Sequence, residues 1–327
     1  MVFFLAVILF AGLARAEFEL SWPNAKITVR VVGEDGVAIS NANVHIGFPQ
    51  GGNAWVGQGK HQVFHGSSDT NGCYTAEARS EMSPGGSVEK EGYYRSFWDY
   101  IFKGNYQVIK KWQPWNPTVT VVLRKIVNPI PMYAKRVETQ IPKTNEVFGY
   151  DLIIGDWVMP LGKGSVSDLM FCIDGFWNNS RDNMAALQLT FSNKDDGIQR
   201  VHSNQVTRSV FRLPREAPAM GYKRSITWRK MRKDNADHKG DILVNDYSEG
   251  MNYFFCVRTR TNEAGIVTNA YYGKIHGDFE FGGASAKGGY LKFTYYLNPT
   301  SNDRNMEFDP KQNLFKNLKS SEEVQEP

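Results

Sequence analysis

Alternation with a period of two recurs along this chain, while a helical period is almost absent. "KITVRVVG" at 26–33 sets Ile27, Val29 and Val31 against Thr28 and Arg30. Successive strand residues point to opposite faces, so such a run has one apolar side and one polar side. "TVTVVL" at 118–123, "LQLTFSN" at 187–193 and "YLKFTYYL" at 290–297 repeat the pattern. Asp-Gly or Asn-Gly pairs at 35–36, 71–72, 174–175 and 196–197 read as turns between runs. Only "SFWDYIF" at 96–102 suggests a single short helical turn. Many short strands with one apolar face need a second sheet to cover that face. The pattern therefore predicts an all-β protein of two tandem antiparallel β-sandwich domains, the second jelly-roll-like.

The chain opens "MVFFLAVILFAGLARAEFEL". Residues 2–13 are almost wholly apolar, and Ala14-Arg15-Ala16 fits a small-x-small cleavage site. The reading is a signal peptide at 1–16, a mature chain from Glu17, and export to a periplasmic or extracellular location. The apolar run is shorter than the ~20 residues a spanning helix needs. No later run is longer, so no membrane span is expected in the mature chain. Net charge is +4, and its one basic cluster, "YKRSITWRKMRK" at 222–233, reads as a solvated strand. No nucleic-acid motif accompanies it.

Export permits disulfides. The cysteines are Cys73, Cys172 and Cys256, so at least one lacks a partner within the chain. Cys172 and Cys256 lie in strand-like runs. Two readings stand for them, a Cys172–Cys256 disulfide or two buried thiols.

The first third carries a family resemblance. The positions are the turn Gly36, Ile39, Ala42 and Val44, then Asp69-x-x-Gly72-x-Tyr74, "KEGYY" at 90–94 and "TVTVVL". Over about 25–125 they resemble the carboxypeptidase regulatory-like domain, a transthyretin-like (prealbumin-like) sandwich common in exported bacterial proteins. Ala38 departs from the Pro usual in the family, and a long aromatic insert precedes the last strand. The resemblance implies a Greek-key sandwich that accompanies other domains and holds no catalytic residue. The domain plan is then a signal peptide 1–16, a transthyretin-like domain 17–127, a Pro-rich connector 128–144, a second sandwich 145–300 and a disordered polar tail 301–327.

Catalytic motifs are missing. No His-x-x-Glu, His-Glu-x-x-His or Gly-x-Ser-x-Gly occurs. His61 and His65 are four apart but flank a strand, where that spacing covers roughly 13 Å. No metal or cofactor is expected. The insert at 92–117 concentrates aromatic residues among cations. Either it buries its rings, or Trp98, Tyr93 and Tyr94 present stacking faces to a ligand. The functional expectation is an exported, noncatalytic binding or assembly protein of the bacterial envelope, with a glycan or another envelope protein as partner. The alternative is a glycan-acting enzyme whose sandwich carries carboxylates such as Asp151, Asp156, Asp168 and Asp174.

Overall fold

The structure, a computed structural model, describes residues 22–51, 60–106, 110–202, 208–237 and 239–327. The signal peptide expected at 1–16 lies outside them. Strands dominate, and no α-helix occurs among the described residues. Among these residues no helix is long and apolar enough to cross a membrane. The all-β expectation holds. The chain divides into two compact units, Met1–Ile126 with Gln205–Arg212, and Val127–Asn204 with Leu213–Pro327.

The first unit is built on β1 (Asn24–Gly33), β2 (Asn43–Pro49), β3 (His61–Ser67), β4 (Cys73–Arg79) and β5 (Gly85–Glu89). Five more strands follow: β6 (Tyr93–Tyr94), β7 (Ser96–Asp99), β8 (Gly104–Tyr106), β9 (Lys111–Gln113) and β10 (Thr118–Lys125). One sheet runs β6-β10-β1-β9-β8, with β4 also on β1; the other runs β3-β2-β5-β7. The alternating runs explain the core. Ile27, Val29 and Val31 face Val44, Ile46 and Phe48 from the other sheet, with Val121 and Leu123 beside them. Two pairings depart from the antiparallel expectation: β1 and β10 run parallel, Val29 beside Val119 and Val31 beside Val121, and β9 joins β1 in parallel at Asn24 and Lys111. Gly72 serves its turn at φ +77°, where an added Cβ would lie 2.4 Å from the Val31 carbonyl oxygen.

The insert corrects the helical reading of 96–102. Ser96 and Trp98 are buried while Phe97 and Asp99 are exposed, which is a strand's alternation, and β7 pairs with β5.

The second unit begins with β11 (Tyr133–Ile141), β12 (Val147–Asp151), β13 (Asp156–Trp157), β14 (Leu169–Asn179), β15 (Asp182–Thr190) and β16 (Gly197–His202). It continues with β17 (Ser225–Lys233), β18 (Ile242–Asn245), β19 (Met251–Thr261), β20 (Val267–Ile275), β21 (Glu280–Ser285) and β22 (Gly288–Leu297). One sheet runs β11-β22-β20-β19-β16, with β21 also on β22; the other runs β13-β12-β14-β15-β17-β18. In the second sheet β14-β15 and β17-β18 are sequential hairpins, β13 folds back on the outer edge of β12, and the chain crosses to the other sheet for β16 between β15 and β17. Between the two lies a core containing Phe171, Leu187, Trp228, Tyr253, Phe279 and Phe293.

Three boundaries differ from the sequence reading. The stretch 128–144 is no mere connector, because β11 pairs with β22 along its whole length; its prolines at 129 and 131 precede the strand and remove none of its donors. Asp174-Gly175 is no turn but lies inside β14, where Gly175 at φ +143° crosses close to β15. A Cβ there would sit 2.1 Å from the Met184 carbonyl oxygen. The tail at 301–327 is ordered rather than disordered. Met306, Phe308 and Val324 are buried, and Leu314, Phe315 and Leu318 are half-buried, the Phe315 ring centroid 5.2 Å from that of Tyr133. Glu307 accepts the backbone N–H groups of Val127 and Asn128 at 2.9 and 2.7 Å. Low average hydrophobicity did not prevent ordering, because Met306, Phe308, Phe315 and Val324 join apolar clusters of the second unit.

Candidate functional site

The site follows from the parity of β14. Leu169, Phe171 and Ile173 point into the core, so Gly175 and Trp177 continue the same face. The last full core layer is Ile173 beside Leu187 beside Trp228. Beyond it the register sets Trp177 opposite Asn183 and Ala185 opposite Lys230. The inner face thus exchanges aliphatic residues for an indole, an amide and an ammonium. From the opposing sheet, Phe281, Gly282 and Gly283 of β21 and Tyr290 of β22 close the other side. The result is a cleft of about 490 Å³ at one end of the sandwich, within the ~300–1,000 Å³ range of ligand sites.

Two aromatic faces are held in water here. Trp177 is 52% exposed and Tyr290 38% exposed. Tyr290 approaches bare backbone, since a Cβ on Gly282 would lie 3.0 Å from its Oη. Lys230 is half-buried and ties the sheets together. Its Nζ donates to the Phe281 carbonyl at 3.3 Å, and lies 4.7 Å from the Phe281 ring centroid and 5.7 Å from that of Tyr247. Burial pushes the Lys230 ammonium below its ordinary range, and Glu280 and Asp278 oppose that shift. No carboxylate, imidazole or thiol lines the cleft among the described residues.

The residues singled out from sequence lie elsewhere. Trp98 is 4% exposed in the core of the first unit, and Tyr94 is buried against Phe211 with ring centroids 5.0 Å apart. Tyr93 is half-buried against the same core as Trp98. The platform of Trp98, Tyr93 and Tyr94 is therefore corrected, as these rings supply packing in the first unit. Trp112 is also core, its Nε1 donating to the Ser80 carbonyl at 2.8 Å.

The carboxylates divide as well. Asp151 and Asp168 are buried and both accept from Arg258, at 3.1 Å and 2.8 Å. Asp156 accepts the N–H groups of Trp157 and Lys163, and Asp174 is exposed on the outer face of β14. None of the four lines the cleft.

All three cysteines are free, which corrects the Cys172–Cys256 bond. Cys172 alternates with the core residues Phe171 and Ile173, and Cys256 with Phe255 and Val257. Both thiols thus point outward from opposite sheets of one sandwich, beyond the reach of a disulfide when stacked sheets lie ~10 Å apart. Cys256 instead packs with Phe254, Leu213 and Tyr272.

Sequence reasoning missed the cleft because its two aromatic faces are far apart in the chain. The available signal was the phase of "DLMFCIDGFW", which carries the core parity of Leu169 through to Trp177.

No family model and no curated protein matches the chain. Among solved structures, BcpA, the major pilin subunit of Bacillus cereus, aligns at 11% identity with a TM-score of 0.23, over 82% of this chain and 95% of that chain. A likeness that slight carries no argument.

Proposed function

We propose that this is an exported, noncatalytic glycan-binding protein, and that the cleft of the second unit is its binding site. The observation that carries the reading is the pair of exposed aromatic faces, Trp177 and Tyr290, brought from opposite sheets to one cleft. Sugar rings present C–H faces that stack on such rings, and hydroxyls that need polar partners at the rim. Asn183, Ser285 and Lys230 offer those partners. A hydrolase would need two carboxyl groups flanking the scissile bond. Asp151 and Asp168 are instead engaged by Arg258, which supports binding without turnover.

The first unit fits this reading as an accessory module of the carboxypeptidase regulatory-like type. Support comes from the position of its turns and strands along the chain. The apolar run at 2–13 followed by Ala14-Arg15-Ala16, which we read as a leader, supports export.

The test is a screen of the full chain against immobilised glycans, with Trp177→Ala and Tyr290→Ala in parallel. The reading expects a defined subset of glycans to be retained by wild type and lost by both variants. Retention unchanged in both variants, or release of cleaved sugar, contradicts it.

A further inference from the structure

The basic run at 222–233 is not solvated throughout. Lys223, Arg224, Arg229, Arg232 and Lys233 are exposed, but Lys230 is half-buried. Its neighbours on β17 are paired with carboxylates. Arg229 meets Asp246 at 3.7 Å, and Arg232 donates twice to Asp234, at 2.9 Å each. Lys230 instead lines the cleft, where it is the one charged side chain among the described residues.

Its ammonium is held but not neutralised. Three donors are available. One reaches the Phe281 carbonyl at 3.3 Å, longer than the usual ~2.9–3.0 Å, and the faces of Phe281 and Tyr247 take up part of the charge. No carboxylate pairs with it among the described residues. Asp278 is occupied by Tyr253 Oη at 2.6 Å and by the N–H groups of Ser248 and Phe279 at 3.0 and 2.9 Å. Glu280 is exposed and has the opposite parity to the core residue Phe281, which sets it on the outer face of β21. These two carboxylates offset the effect of burial on Lys230 only in part.

Resting on the reading of this cleft as a glycan site, we propose that it selects acidic sugars, whose carboxylate or sulfate ester pairs with Lys230. Any ligand that fills the cleft displaces water from the ammonium. A neutral sugar leaves that charge desolvated and unpaired, which is costly. An anionic group on the ring restores a charge-assisted hydrogen bond, in surroundings of low polarity that strengthen it. The aromatic faces of Trp177 and Tyr290 favour a sugar ring over an acidic peptide as the carrier of that group.

The experiment titrates the full chain by calorimetry with three probes. They are an oligogalacturonate, the same oligosaccharide with its carboxyls reduced to alcohols, and a sulfated neutral oligosaccharide. Wild type is expected to bind at least one anionic probe about tenfold or more tightly than the reduced one. That preference should shrink as salt rises. Preference for the uronate identifies the carboxylate and preference for the sulfated probe the ester; either supports the proposal. Lys230→Met keeps the apolar stem and should abolish the preference, while Lys230→Arg keeps the charge and should retain it. Thermal melts check that both variants fold. Equal affinity for charged and reduced probes, a preference that survives Lys230→Met, or polyglutamate bound in place of both anionic probes overturns the proposal. The immobilised-glycan screen separates this failure from that of the glycan reading: neutral glycans retained there keep that reading, and an empty screen ends both.

Discussion

Asp168 grips Arg258 with both carboxylate oxygens, Oδ1 accepting from Nε at 2.8 Å and Oδ2 from Nη2 at 2.9 Å. Arg258 is a non-glycine residue at φ +54°, on a bulge of β19. The backbone N–H groups of Arg258 and Thr259 both donate to Asp196, at 2.9 and 2.8 Å. A left-handed residue costs free energy, and here the surrounding carboxylates hold it in place. Removing Asp168 leaves the guanidinium half-paired over a buried site. Asp168→Ala should therefore cost about 3–5 kcal/mol of stability, as breaking buried pairs does. Urea denaturation measures this; a loss under about 1 kcal/mol would show the network to be ornamental.

Asp151 sets an acid limit. Burial raises its pKa, but the N–H groups of Ser165, Ile154 and Val166, with Arg258, together outweigh that and hold the carboxyl below its ordinary value. A depressed folded pKa contributes stability that is present above the unfolded value of ~3.9 and is lost as pH falls through the folded one. Asp151→Asn should accordingly be less stable than wild type at neutral pH, and the gap should close below about pH 4. Denaturant midpoints across that range check it; a constant gap would mean that Asp151 does not titrate in the folded state.

The two buried tryptophans of the first unit should respond differently to one substitution. Trp112 Nε1 is hydrogen-bonded to Ser80, whereas Trp98 Nε1 is buried without a partner among the described residues. An unmade buried bond already carries a penalty of about 1–3 kcal/mol. Trp98→Phe should thus cost clearly less than Trp112→Phe, while either Trp→Ala should cost about 3–5 kcal/mol. Thermal melts rank the four variants; equal cost for the two phenylalanine substitutions would contradict the hydrogen-bond assignment.

The architecture was legible where period-two runs coincided with burial on one side. Ile27, Val29 and Val31, and Leu291, Phe293, Tyr295 and Leu297, are buried as their alternation requires. The cleft was harder to read, because pairing across a sheet leaves no local trace. Lys230 meets Ala185 through strand register, and Trp177 meets Tyr290 through sheet packing. Composition misled in both directions. The aromatic density of the insert became core at Trp98, while the polar tail folded around Met306 and Phe308. Asp-Gly at 174–175 also misled, because a glycine that passes a neighbouring strand closely looks the same in sequence as one that turns.

Thiol chemistry should separate the cysteines. Cys256 is 5% exposed, and burial, with Asp196 adding to it, pushes its pKa up to about 11. A thiol rather than a thiolate in that position reacts slowly. A thiol reagent should reach Cys73 and Cys172 in the native protein and Cys256 only after denaturation. Three thiols should then titrate without added reductant. Only one titrating in denaturant would reveal a disulfide and contradict the outward orientation of Cys172 and Cys256.

The most direct measurement is calorimetric titration of wild type and Trp177→Ala with a glycan retained in the screen, beside thermal melts of both proteins. Because Trp177 is half-exposed at the mouth of the cleft, the variant should lose about 2 kcal/mol of binding free energy, as a hot-spot aromatic does. Its stability should stay within about 0.5 kcal/mol of wild type. Unchanged affinity, or a loss of binding that merely follows a loss of stability, would contradict the assignment of this cleft as the glycan site.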